Sequence, residues 1–455
     1  MIAFVDLLPV LMFVSLMALI FTGYPIGFIL AGIAVVFGGI GMLFGVFTFA
    51  EFFIFVPRTW IVAENLQIIA IPLFVFMGVM LERSNIARDL LEALQLILRR
   101  VPGGMALSVT LMGVIFAAVT GVVGASVIML TLIALPTMLN AGYRPSLALG
   151  TIAASSTLGI LIPPSILLVF LSEFLQVPIG PLFAAAIYPG LLLSALYLVY
   201  ILAFTIAVPD AAPPLPASTD KVPLREIARV LIRGIIPPVI LIAIILGSIL
   251  GGVATITESA AFGAGGALLL AMLRGNLGFR ELRDCLNRSA MTVGMIFMLY
   301  IGATSFAFVF RMLGGEEFVH LLIDAANLGP WGVLFIVIGL IFLMGFFFDV
   351  LEILLVVIPI VGPIVVGLDF GDHLPKADVV YWFAILVSIT LQTSFLTPPM
   401  GLSLFYIKGV APSSVTMNQI YAGIVPFVLL QLLCVVLLMM WPDLAMHLPR
   451  QIFGG

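Results

Sequence analysis

Apolar runs separated by short polar stretches dominate the chain, and the runs are long enough to cross a bilayer. A helix needs about 20 apolar residues to span the hydrocarbon core. Runs of that order fall at 4–22, 26–50, 66–81, 146–174 and 182–208, then at 234–253, 256–273, 289–313, 379–410 and 419–441. Between the two sets lies the most polar stretch, 209–233, which includes Ala211-Ala212-Pro213-Pro214-Leu215-Pro216 and reads as a linker. It divides the chain into halves at 1–208 and 234–455.

Two further apolar stretches, 105–138 and 331–368, are too long for one crossing, and each breaks near its middle. The first breaks at Thr120-Gly121-Val122-Val123-Gly124 and the second around Phe348-Asp349. Both read as re-entrant hairpins, two half-helices that enter and leave on one side. Irregular backbone at that depth persists only where protein or a wet cavity satisfies it. The plainer reading is two crossings joined by a tight turn, which leaves the rest of the layout unchanged. Each half then has the same order: three spans, an amphipathic arm (82–104 or 314–331), a hairpin, a span broken by a double proline (146–174 or 379–410), and a last span.

Composition sets the solvent. The chain is 63% hydrophobic and 9% charged, whereas soluble domains carry about 25% charged residues. Lipid must cover most of the surface, and the expectation is an all-α polytopic membrane protein. A net charge of -4 with scattered basic residues leaves no patch for nucleic acid. Cys285 and Cys434 read as buried fillers. The first residues lack the basic start of a cleaved signal, so the first run reads as a retained span.

Loop charge orients the layout, because cytoplasmic loops carry excess Lys and Arg. The first arm holds Arg83, Arg88, Arg99 and Arg100, while the second holds Glu316, Glu317 and Asp324. Arms at equivalent positions are therefore expected on opposite sides, as two inverted-topology repeats require. The linker (Lys221, Arg225, Arg229, Arg233) and the 274–288 loop (Arg274, Arg280, Arg283, Arg288) are assigned inside. The loop with Asp369, Asp372 and Asp378 is assigned outside, although it carries Lys376. Counting crossings puts both termini in the periplasm.

The candidate chemistry lies at the breaks. One span reads Ser155-Ser156-Thr157-Leu158-Gly159-Ile160-Leu161-Ile162-Pro163-Pro164-Ser165, the other Ser394-Phe395-Leu396-Thr397-Pro398-Pro399-Met400-Gly401. Consecutive prolines remove two donors and clash with preceding carbonyls, so the helix must unwind. Freed carbonyls and the Ser and Thr hydroxyls suit a small hard cation such as Na⁺. The N-terminus of the following half-helix offers N–H groups and positive dipole to a carboxylate. Ser155, Ser156, Thr157, Ser165 and Thr397 are thus candidate substrate residues. Gly121, Gly124, Ser126, Gly159, Asp349, Ser394 and Thr397 are candidate Na⁺ ligands.

A kinked helix is the structural alternative at each break, but two matched breaks, each after a hairpin, favour a site. Asp349 sits inside an apolar run, where a carboxylate is expensive; the bland role is a helix cap. Glu352, three residues on, reads as a second ligand, a protonatable group or a rim residue. Glu258, in Thr255-Ile256-Thr257-Glu258, fits an N-terminal cap at least as well as a functional role. Asp369-Phe370-Gly371 lacks the other kinase motifs, and His320, His373 and His447 lack metal-ligand spacing. Neither an enzyme nor an organic cofactor is expected.

These residues resemble the large membrane subunit of tripartite ATP-independent periplasmic (TRAP) transporters. The stretches that carry the resemblance are 142–165, 396–405 and 71–78, and Thr255-Ile256-Thr257-Glu258 looks like the family's Thr-Pro-Thr-Glu. The resemblance implies an elevator-type, Na⁺-coupled secondary importer of an organic acid. It also implies a periplasmic substrate-binding protein and a small four-span membrane subunit as partners. Cation sites are expected between each tip and its broken span, here 121–126 with 155–164, and Asp349 with 394–399.

Two departures stand out. The family's first tip is usually Gly-Ser-Ser-x-Ala-Thr, and here Val122 and Val123 replace two hydroxyls. Glu352 replaces a usually apolar residue. The expected substrate is a 2-oxo or 2-hydroxy monocarboxylate. The alternative function is a stand-alone Na⁺/carboxylate symporter of similar architecture.

Overall fold

The computed structural model describes residues 7–120, 123–213, 230–275, 277–398 and 401–454. Among them every regular element is a helix. The first half contributes α1 (Leu8–Ile20), α2 (Ile26–Leu43), the short α3 (Phe49–Phe52) and α4 (Phe55–Glu64), α5 (Leu66–Arg83) and the arm α6 (Ile86–Leu98). The first hairpin is α7 (Gly104–Thr120) and α8 (Val123–Asn140), the broken span α9 (Pro145–Thr157) and α10 (Ile166–Phe174), and the last span α11 (Ile179–Ala207).

The second half contributes α12 (Ile236–Leu250), α13 (Ile256–Leu273), α14 (Phe279–Met312) and the arm α15 (Gly315–Ala326). The second hairpin is α16 (Pro330–Met344) and α17 (Val350–Val366), followed by α18 (Val379–Leu396), α19 (Leu402–Val410), α20 (Met417–Met440) and α21 (Asp443–Phe453). Nine of the described helices are long and apolar enough to cross a membrane.

Local chemistry sets the helix ends. Thr48, Thr255 and Thr416 close capping boxes on Glu51, Glu258 and Gln419, each satisfying two donors at a helix start. Prolines stand in the first turn of α1, α9, α12 and α16, where the missing N–H is harmless.

Several bounds differ from expectation. The run 26–50 stops as a helix at Leu43, because Gly45 turns the chain at φ +70. The short helices α3 and α4 follow it, and neither was expected from the apolar pattern. The basic 279–288 segment is the first three turns of α14 rather than loop. The C-terminal α21 is amphipathic and also unexpected. The linker residues 214–229, with Lys221, Arg225 and Arg229, lie outside the described residues.

The two halves interlock reciprocally. Helix α2 packs along α14, and α5 along α13. Helix α10 packs on α17 of the second hairpin, and α19 on α8 of the first. Close approaches use glycine: a Cβ on Gly150 or Gly423 would strike the facing backbone where α9 crosses α20.

Among the described residues, ion pairs form in three places; at the second arm Arg311 binds Glu316 at 2.6 Å. Arg274 binds Asp89 of the first arm at 2.5 Å and the carbonyl of Arg233 at the linker's end at 2.5 Å. Arg450 of α21 binds Asp378 and Asp443 at 2.6 Å each. Beside the latter loop, Trp331, Phe370, His373 and Trp382 form an aromatic cluster, with Trp382 Nε1 donating to the Leu438 carbonyl at 2.8 Å. The first arm, the linker's end and the start of the 274–288 segment thus share one end. The 369–378 loop and the C-terminus share another cluster.

Candidate functional site

The first break starts where α9 runs out at Thr157. One 3-10 turn, Leu158–Ile160, leads into Pro163 and Pro164, which supply no N–H for a continuing helix. Ser165 then precedes α10 in extended conformation. Its hydroxyl does not cap α10; it donates back across the break to the Ile160 carbonyl at 2.8 Å. The first N–H groups of α10 have no partner within their own helix, and Ile166 and Leu167 line a cavity.

The second break follows the same plan. Helix α18 ends at Leu396, and Thr397 is extended, its hydroxyl donating to the Thr393 carbonyl at 2.7 Å. Pro398 follows, and Pro399 lies outside the described residues. Beyond Gly401, Ser403 donates back to the Phe395 carbonyl at 2.9 Å. Ser403 thus does for the second break what Ser165 does for the first. Ser403 carries no signal in the sequence, because its offset from the prolines differs from that of Ser165.

Hydroxyls before the breaks donate mostly into their own helices. Ser156 binds the Ile152 carbonyl at 2.6 Å, Thr157 that of Ala154 at 2.9 Å, and Ser394 that of Thr390 at 3.0 Å. Ser155 instead donates to the Thr110 hydroxyl of the hairpin at 3.3 Å. Such bonds use the hydroxyl proton and leave oxygen lone pairs, the part a cation needs. Gln392 Nε2 donates to Thr157 Oγ1 at 3.2 Å, tying the end of α9 to α18.

Each hairpin is seated on its own broken span by a glycine. A Cβ on Gly113 would come within 2.6 Å of the Ser155 carbonyl oxygen. A Cβ on Gly345 would overlap the Ser394 side chain. The first tip also touches the second half, since a Cβ on Gly124 would stand 3.0 Å from the Tyr406 ring.

At the second tip Asp349 is the N-cap of α17 in a capping box with Glu352. Glu352 is 9% exposed, and its Oε2 accepts the Asp349 N–H at 2.9 Å. Glu352 is therefore a capping partner beneath the tip, and Asp349 combines the cap with a place on the cavity wall.

A cavity of about 140 Å³ collects the tips and breaks. Gly124 and Val123 come from the first tip, Asp349 and Val350 from the second. Gly159, Ile160 and Ser165 come from the first break, and Phe395 and Tyr406 flank the second. Helix α14 closes one side with Thr292, Met295 and Ile296.

Of the sequence candidates, Gly124, Gly159, Ser165 and Asp349 reach this wall. Ser155, Ser156, Thr157 and Ser394 lie outside the wall, in the helices that support it, and Thr397 lies outside it at the end of α18. Ser126 faces a separate cavity of about 50 Å³ with Glu82 and Thr292. Glu258 is remote from both cavities: it caps α13, accepting the Thr255 N–H at 2.7 Å. Gly121 lies outside the described residues. Tyr406, Thr292 and Glu82 were missed. Thr292 is a lone hydroxyl in an apolar run, and Glu82 was assigned to the arm rather than to the last turn of α5.

Residues 13–444 match the family model of the tripartite ATP-independent periplasmic transporter, DctM component. The chain is 30% identical over 443 residues to the ectoine/5-hydroxyectoine TRAP transporter large permease protein UehC of Ruegeria pomeroyi, spanning 96% of this chain and 97% of that one. It is 28% identical over 393 residues to the C4-dicarboxylate TRAP transporter large permease protein DctM of Pseudomonas aeruginosa, spanning 85% and 87%. Among solved structures, the Alcanivorax borkumensis YdaH transporter superposes with a TM-score of 0.58 over 84% of this chain and 85% of that one, at 14% identity, a likeness of fold alone. The chain belongs to the DctM family, the large membrane permease component of TRAP transporters.

Proposed function

We propose that this permease is an Na⁺-coupled secondary importer of a small organic acid, delivered by a periplasmic substrate-binding protein. It works beside a small four-span membrane subunit in the inner membrane. The observation that carries the reading is the meeting of both tips, the first break and the flanks of the second on one cavity. The neutral oxygens of Ser155, Thr157, Ser394 and Thr397, with nearby carbonyls, supply ligands for Na⁺ as a co-transported ion. Asp349 supplies the charge. The uncapped start of α10 receives the substrate carboxylate.

The reciprocal packing of the halves supports an inverted repeat, with termini in the periplasm and movement of the tips and breaks as one elevator body. Uptake of a labelled 2-oxo acid into vesicles holding both membrane subunits tests the reading. The expected result is uptake that needs both an Na⁺ gradient and the binding protein. Na⁺-driven uptake without the binding protein supports the stand-alone symporter instead, and uptake indifferent to Na⁺ refutes the coupling.

A further inference from the structure

We infer that the transported acid carries a single carboxylate on an apolar body, and that the cavity refuses a second carboxylate. The inference rests on the transport reading above and concerns the far end of the substrate. Among the described residues, only Ser165, Thr292, Asp349 and Tyr406 bring hydrogen-bonding or charged side chains to the wall; the other described side chains there are apolar or glycine. None of the described wall residues is Lys, Arg or His. The residues that continue the tip and the break in sequence, Gly121, Val122, Pro399 and Met400, carry no charge either.

The one charge on the wall is the Asp349 carboxylate, with Glu352 directly behind it. A second substrate carboxylate would have no basic side chain to pair with, the Na⁺ of the proposed function being matched already by Asp349, and would share about 140 Å³ with that carboxylate. A buried charge left without a partner is strongly unfavourable. The volume points the same way, since sites for drug-sized ligands span roughly 300–1,000 Å³. A short branched or linear apolar chain fills such a space without leaving polar groups unpaired.

The test uses the purified permease with its small subunit in lipid nanodiscs, without the binding protein, so that only this cavity selects. Thermal stabilisation in Na⁺ is titrated with 3-methyl-2-oxobutanoate, succinate and the neutral isobutyramide. The expected result is stabilisation by the monocarboxylate at concentrations on the order of 100-fold below those needed for succinate. Succinate acting as well as the monocarboxylate overturns the inference. Stabilisation by isobutyramide equal to that by the acid removes the carboxylate requirement and takes the acid-transport reading with it. Met295, 63% exposed on the wall, gives a second arm. Met295→Lys supplies the missing cation and is expected to improve succinate on the order of tenfold or more. A folded Met295→Lys protein with no gain for succinate overturns the charge argument.

Gln392, Gln431, Tyr197 and Thr157 are fully buried, on the mutually packed helices α18, α20, α11 and α9. The Tyr197 hydroxyl faces both amides. Yet, although these groups lie near hydrogen-bonding reach of one another, Gln392 Oε1, both amide atoms of Gln431 and the Tyr197 hydroxyl make no bond of good hydrogen-bond geometry among the described residues. The set contains a donor, Gln431 Nε2, as well as acceptors. A cation would leave that donor unsatisfied, whereas water satisfies both kinds.

We propose that ordered water occupies this interior, and that Gln392, a positioning residue, holds Thr157 and with it the end of α9. A structure at a resolution that shows water is expected to place density between these groups. Amides bonded directly to each other with no density overturn the proposal. Functionally, Gln392→Met and Thr157→Val are each expected to raise the half-maximal Na⁺ concentration, and the double variant no further than the worse single one. Fully additive shifts overturn the positioning role.

Discussion

The two tip-and-break units are built alike and equipped differently. In each, a hairpin glycine rests on a serine of the broken span, Gly113 on Ser155 and Gly345 on Ser394. In each, a serine beyond the break reaches back to a carbonyl, Ser165 to Ile160 and Ser403 to Phe395. The first unit nevertheless brings only neutral groups to the cavity, Gly124, Gly159 and Ser165, while the second brings Asp349. The difference separates two tasks. Backbone shape alone, an unwound helix with exposed N–H and C=O groups, can serve an anion and a cation together. A carboxylate adds formal charge to the neutral oxygens that a cation uses, and among the described residues only the second unit brings one to this cavity. In the proposed function the substrate carboxylate belongs to the first unit and the firmest hold on Na⁺ to the second.

Removing that charge should break the comparison most completely. Asp349→Asn keeps the size and the capping oxygen, so insertion and expression should remain normal. Uptake should fall on the order of 100-fold and lose its Na⁺ response. Uptake in reconstituted vesicles measures this, and a wild-type Na⁺ response would reduce Asp349 to a cap.

The shared architecture can be broken next. Gly345→Ala and Gly113→Ala each force a methyl into an occupied contact, at a cost of about 1–3 kcal/mol. The neighbour of Gly345 is the Ser394 side chain, whereas that of Gly113 includes the Ser155 carbonyl. Thermal unfolding should therefore show Gly345→Ala rescued in part by Ser394→Gly, and Gly113→Ala not rescued by Ser155→Gly. Equal rescue would mean that the two seats do not differ as described.

A smaller effect tests whether supporting hydroxyls serve the cation. Losing one ligand costs about 1–2 kcal/mol, so Ser394→Ala and Thr397→Ala should raise the half-maximal Na⁺ concentration on the order of tenfold. Ser155→Ala, in the unit without the carboxylate, should shift it less. Na⁺ titration of uptake gives the order, and the reverse order would move the firmer cation site to the first half.

The last test leaves transport nearly unchanged. Arg88 and Glu317 are exposed residues of the two arms. Single cysteines there, in a background without Cys285 and Cys434, should differ in labelling by an impermeant reagent. Equal labelling of both from the periplasm would sink the inverted repeat.

Much of this molecule was legible without coordinates. A chain with 9% charged residues has to be solvated by lipid, and two prolines in succession have to interrupt a helix wherever they fall. Apolar run length, loop charge and the double prolines therefore determined the class, the order of elements and the position of both breaks. They also pointed to Asp349, because a carboxylate inside an apolar run stands out against its neighbours. Capping chemistry was legible as well, since Thr255 and Glu258 are three residues apart and their bond is local.

What tertiary structure alone decided is which of the flagged groups face one another. Ser155, Ser156 and Thr157 look like cavity residues in the sequence, but helix rotation turns them into the packed interior, and Ser165 alone of that segment's hydroxyls reaches the wall. Tyr406 lies more than 280 residues from Gly124 and carries no local signal, yet the reciprocal packing of α19 on α8 puts them in contact. Gln392 meets Thr157 across 235 residues for the same reason. Local sequence sets where a helix starts, stops and breaks, because those choices depend on neighbours within a turn. The rotation of each helix about its axis depends on how glycines and bulky side chains fit against a distant helix, and that fit exists only once the two halves have packed.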